Sequence, residues 1–220
     1  MIKLRKSLSL IALAVLFSAT QVYAQAPENT AEVKKAQEWV AKLNIADAAK
    51  KAKVENAVAT HLTEVRDWHN AHPVKENPGG MNPATGNAFT NLDWEVIYCS
   101  QKPKSVHENL MNVLKAELTP EQVEAILDEY TIGKVAFTLK GYEAIVPNLT
   151  DTERTEILKN LRHAREIAID YKNMKEISAI FEIYKTKCEQ YLNNNGRNWK
   201  QMFKDYVNKR NAEKAAEQKK

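Results

Sequence analysis

Glycine and proline are scarce in this chain. There are six and seven in 220 residues, and three of the glycines and four of the prolines crowd between Pro73 and Pro103. That scarcity excludes collagen-like and Gly/Pro-rich disordered classes and leaves long stretches free to be helical. There is no glycine-rich phosphate loop, no nucleophile elbow and no His-Glu-x-x-His pattern, so phosphate cradling and the common hydrolase and metalloprotease chemistries lack their motifs. No alternating strand pattern of useful length occurs. Basic excess is also missing once the first 24 residues are set aside. MIKLRK, an apolar run of about ten residues and SATQVYA read as a cleaved export signal, too short to span a bilayer. Without Lys3, Arg5 and Lys6, the 32 basic and 28 acidic residues become 29 and 28. This near-neutral balance implies no nucleic-acid partner.

What remains is rich in Ala, Leu, Lys and Glu, and it reads as an all-α chain: a single-domain antiparallel bundle of about seven helices. The expected organisation is a signal peptide over 1–24, a helical domain over 25–207 and a charged tail over 208–220. In the domain, a long turn-rich loop spans 73–89, where Asn-Pro-Gly-Gly and Thr-Gly-Asn interrupt the helical pattern. Asn29 with Glu32, Thr90 with Asp93 and Ser105 with Glu108 are spaced as helix starts. Val54, Val58, Leu62, Val65 and Trp68 mark one buried face. LTPEQ at 118–122 and LTDTE at 149–153 repeat a capping box: Thr119 or Thr150 caps, the third residue on reaches back, and Leu118 or Leu149 staples the start to the core. The helix from Thr119 is expected to run through Val146, bending near Gly133.

Candidate chemistry is sparse. His69 and His72 are three apart, but two ligands make no metal site, and no cofactor is called for. His61 reads as a packing residue, and Arg162 with Glu166 as a surface ion pair. Arg165, Glu166 and Asp170 form the densest polar group, which an enzyme could use. The four tryptophans and most tyrosines suit helix junctions, although aromatic faces flanked by amides, Arg and acids are also what a sugar-binding cleft needs. Trp68, Trp94 and the loop between them are where such a cleft is expected. Cys99 and Cys188 face an oxidising compartment after export and can pair or stay free, since spacing does not fix their separation.

Two resemblances follow. LTPEQ and LTDTE in an exported helical chain resemble the repeats of the periplasmic LTxxQ-type stress chaperones. More of the chain, from LTPEQVEAILDEYT through GYEAIVPNLTDTERTEILKNLRHAREIAID to FEIYKTKCEQYLNNNG, resembles an uncharacterised secreted all-helical family of Bacteroidetes. That family is associated with sugar binding and is often encoded near polysaccharide-degrading enzymes. Matching positions are Leu118, Thr119, Gln122, Tyr142, Val146-Pro147, Ala164-Arg165-Glu166, Tyr184-Lys185, Tyr191-Leu192 and Gly196. Glu189-Gln190 and Arg197-Asn198 depart from its pattern. The resemblance implies a periplasmic or secreted, non-catalytic carbohydrate-binding or polysaccharide-utilisation accessory protein. Trp68, His69, Trp94, Tyr142, Arg165, Glu166, Tyr184 and Lys185 are its expected ligand-binding residues, an oligosaccharide or polysaccharide its partner. The alternatives are a stress chaperone and a glycan-active enzyme built on Arg165, Glu166 and Asp170.

Overall fold

A computed structural model describes residues 30–83 and 86–218. The expected signal segment lies outside the described residues. Among these, nine α-helices and a single isolated bridge, Met81 to Ala88, account for the secondary structure. The helices are α1 Ala31–Ala41, α2 Ala48–Ala71, α3 Asn91–Cys99, α4 Lys104–Glu117, α5 Pro120–Thr131, α6 Lys134–Ile145, α7 Asp151–Ala168, α8 Met174–Asn194 and α9 Trp199–Glu217. None of them is long and apolar enough to cross a membrane.

The all-α expectation holds, but the count of about seven does not. The helix that begins at Thr119 breaks completely, because Ile132 and Gly133 both sit in the left-handed region, with φ of 53° and 63°. Gly133 adopts this freely, whereas Ile132, β-branched and 73% exposed, does so at a cost of about 1–3 kcal/mol. Two short helices therefore replace one bent helix. At the other end, α9 continues to Glu217, so most of the stretch read as a charged tail is helical.

Capping follows the local chemistry with two corrections. Thr30 rather than Asn29 caps α1, its hydroxyl accepting from Val33 N at 3.3 Å. Pro103 precedes α4, which starts at Lys104 with no side-chain cap, so the Ser105–Glu108 box does not form. The boxes at Thr90, Thr119 and Thr150 all do. Each of the last two also reaches across the fold. Gln122 Nε2 donates to the Leu43 carbonyl at 3.4 Å. Glu153 holds Arg197 through two bonds of 2.8 Å, and that hydrogen bonding takes its carboxyl down to about 2 despite opposing burial.

Two apolar clusters form the core. The first joins Ala36 and Val40 of α1, Val54 and Val58 of α2, Leu110 and Leu114 of α4 and Ile126 of α5. The second joins Leu139 and Tyr142 of α6, Ile157 and Leu161 of α7, and Ile180, Phe181 and Leu192 of α8. Ile169, just past α7, is inserted into the first cluster, while Ala168 and Tyr171 beside it belong to the second. The segment 168–171 therefore lies at the junction, and Asp170 is placed there.

Candidate functional site

Two concavities concentrate polar or aromatic side chains. The first lies at the junction of the two cores. On α2 the buried stripe Val54, Val58, Val65 includes His61 at the intervening helical step, and His61 is fully buried. Its Nε2 lies 3.0 Å from Asp170 Oδ1. From α4, His107 places Nδ1 3.2 Å from Asp170 Oδ2. An ionised carboxylate can only accept, so each ring carries its hydrogen on the nitrogen facing Asp170. Lys102 Nζ donates to the Asp170 backbone carbonyl at 2.9 Å. His107 Nε2 lies 3.8 Å from Glu166 Oε1.

The electrostatics differ from ring to ring. Burial keeps His61 neutral by pushing its pKa down, against the pull of Asp170. The hydrogen bond to Asp170 raises His107, outweighing its desolvation. Burial alone would raise the Asp170 carboxyl, but the hydrogen bonds from His107 and His61 hold it well below the ordinary carboxylate range. The adjoining cavity encloses about 360 Å³ and is bordered by Lys102, His107, His163, Glu166, Asp170 and Tyr171. Its chemistry is that of a carboxylate-oriented imidazole whose protonated form is favoured by Asp170, a group able to exchange a proton.

The second concavity is an aromatic groove between α6 and α9, floored by α8, with a volume of about 630 Å³. Trp199 ties α9 to the core, its ring 5.2 Å from that of Tyr142, and stacks towards Phe203 at 6.0 Å and 27°. Phe203 is 47% exposed and Phe137, across the groove on α6, is 80% exposed. Tyr206, Lys140, Lys185 and Glu189 complete the lining. Partial burial raises the Glu189 carboxyl. Gly141 stands in the interior of α6 on this lining, and a Cβ added to it would meet no atom within 4 Å. Nothing in the protein's own packing requires glycine at that position, where alanine would favour the helix by roughly 0.5–1 kcal/mol.

The residues expected to bind ligand do not converge. Tyr142 and Lys185 meet at the groove, where the Tyr142 hydroxyl donates to the Lys185 carbonyl at 3.1 Å. Glu166 and Asp170 border the cavity, but Arg165, one helical step away, is turned to α5 and paired with Glu124 and Asp128 at 2.6 Å each. The polar trio is thus divided, Arg165 facing α5 while Glu166 and, just past the end of α7, Asp170 face the cavity. Arg162 pairs with Glu124 at 3.1 Å, not with Glu166. Tyr184 is buried, edge-on to His163.

The Trp68–Trp94 cleft is closed by its own loop. Trp94 Nε1 donates to the Gly79 carbonyl and packs on Phe89, while Trp68 Nε1 donates to the Tyr98 carbonyl and stacks on His72. Cys99 and Cys188 are free thiols, so the disulfide left open by the sequence is not formed. Both are buried in the second core, and that burial pushes them up to about 11 and about 12, respectively. His69 is separated from His72 in role. It pairs with the fully buried Glu176 at 2.8 Å, and Cys99 is close enough that ligand atoms of all three lie within 4.8 Å of one another.

Sequence pattern does not single out His107, Phe137, Phe203 and Tyr206 as site residues. Trp199, Phe203 and Tyr206 lie four and three apart on one helix, and that aromatic stripe was the available signal. His107 offered none.

Residues 29–212 match the family model described as "Protein of unknown function (DUF3826)", and the chain belongs to that family. No curated protein matches the chain.

Proposed function

We propose that this is an exported, non-catalytic carbohydrate-binding accessory protein and that it holds an oligosaccharide or polysaccharide segment in the α6–α9 groove. What supports the reading is the set of exposed rings, Phe137, Phe203 and the edge of Trp199, facing a trough with Lys140, Lys185 and Glu189 beside them. Aromatic faces take the C–H surface of a sugar ring, and the charged groups take its hydroxyls. The trough volume suits a small-molecule ligand or a short saccharide stretch. Gly141 lowers one wall so that a ligand can approach the helix backbone. The sequence resemblance to a sugar-associated secreted family points the same way.

Calorimetry of the purified chain against pectic and other plant oligosaccharides tests this. Phe203→Ala is expected to weaken binding about tenfold, the worth of about 1–1.5 kcal/mol of ring contact, with no change in fold. Absence of binding across such a panel sinks the reading. Turnover of a polysaccharide, lost in Glu166→Gln, would move the activity to the Asp170 cavity and make the protein an enzyme. Near-stoichiometric suppression of a client's aggregation would favour the chaperone reading instead. Against that reading, Thr119, Gln122, Thr150 and Glu153 of the two Leu-Thr motifs are all engaged in helix capping.

A further inference from the structure

We propose that His69, Cys99 and Glu176 form a binding site for one zinc ion, joining the end of α2, the end of α3 and the start of α8. The three donors come from three separate helices and converge to within 4.8 Å. A tetrahedral zinc with ligand bonds of about 2.0–2.3 Å needs its donors roughly 3.3–3.5 Å apart. A gap at the 4.8 Å limit therefore closes by about 1.3–1.5 Å. His69, the one partly exposed ligand, is free to move and to open its 2.8 Å contact with Glu176.

Charge argues for the metal as well as distance. Glu176 is entirely buried, and among the described residues its carboxylate meets the His69 ring and the Lys172 backbone N–H, at 2.8 and 3.2 Å. Among the described residues no Lys or Arg pairs with it, an unusual position for a buried carboxylate. A thiolate, a carboxylate and a neutral imidazole around Zn²⁺ make a neutral assembly, which removes that penalty. Imidazole and thiolate donors also suit zinc over magnesium or calcium. On binding, the Cys99 S–H bond breaks, the Zn–S bond forms and the proton leaves to solvent. His69 binds through Nε2 and carries its hydrogen on Nδ1, and water takes the fourth position.

The test uses the full purified chain, stripped with a chelator and titrated with zinc chloride by calorimetry, then with cobalt chloride in absorbance. One equivalent of zinc, a higher melting temperature and a thiolate-to-cobalt charge-transfer band are expected. Cys99→Ser should lose the band and at least about tenfold in zinc affinity, whereas His72→Gln, on the exposed neighbouring histidine, should match the native chain. If Cys99→Ser does not fold, His69→Gln is measured for the same loss. Absence of stoichiometric binding, or native affinity in a folded ligand variant, overturns the site.

Discussion

The junction cavity, about 360 Å³, and the larger aromatic groove, about 630 Å³, are opposite in state. At the cavity, the strongest groups already answer one another. Asp170 accepts from two imidazoles, Lys102 caps its carbonyl, and His107 faces Glu166. At the groove, Phe137 and Phe203 carry their apolar area into solvent, on a helix pair whose outer member, α9, has no fully buried residue. A site whose charged groups are mostly paired internally contributes first to stability, even with the buried His61 Nδ1 left without a partner. One whose surface is left uncovered has interaction free energy still available to a ligand. Perturbed protonation by itself does not separate the two, because structural networks shift pKa values as well.

The strongest way to break this contrast is at Asp170. Asp170→Ala removes the carboxylate that both His107 and the buried His61 donate to, and is expected to cost about 3 kcal/mol in urea unfolding. Glycan affinity should be unchanged in the folded fraction. A loss of affinity with intact stability would reverse the roles assigned to the two sites.

The next effect is smaller and depends on pH. His107 is raised by Asp170, with Glu166 across from it adding to the rise and burial and Lys115 opposing it. Its contribution to stability is fully present below its unfolded value of about 6.5 and fades as pH rises through the folded value. His107→Gln should therefore cost about 1.5 kcal/mol near pH 6 and progressively less towards pH 9. A gap that widens with pH would contradict the assignment. His61 acts in the opposite sense: buried and neutral, it favours the folded state above about 6.5 and opposes it as the solution is acidified.

The smallest expected change sharpens the comparison most. Gly141→Ala should raise stability by roughly 0.5–1 kcal/mol, since the added methyl meets no atom and the helix gains propensity. The same methyl narrows the groove and should weaken saccharide binding. A variant that is more stable and binds as well as the native chain would remove Gly141 from the site.

The parts of this fold legible in the sequence are those decided within four residues. The boxes at Thr90, Thr119 and Thr150 close through bonds three residues apart, so composition and spacing suffice to find them. Proline at 103 had the same reach and displaced the start of α4 from the Ser105 box. The break at Ile132–Gly133 was only half visible. Gly133 signalled it, but the apolar period continues through YTIGKVAF and hides the loss of register. The turn-rich loop between Trp68 and Trp94 suggests an open cleft. The loop instead folds back, Phe89 N donating to the Gly80 carbonyl and Trp94 to that of Gly79, and spends both indole N–H groups internally or on α3. The site pairings were beyond local reading altogether: His61 and His107 reach Asp170 across 109 and 63 residues.

By itself, the sequence determined that this chain is helical and where most of its helices begin, because caps, propensity and periodicity are short-range and act before any packing. Tertiary structure decided which polar and aromatic side chains still have interactions to offer. It enclosed Arg165, Asp170 and Tyr184 among partners, left Phe137 and Phe203 uncovered, and brought Cys99 and Glu176 to His69. Hydrogen-bonding capacity and apolar surface are shared between distant segments, and only their meeting shows what remains for a ligand.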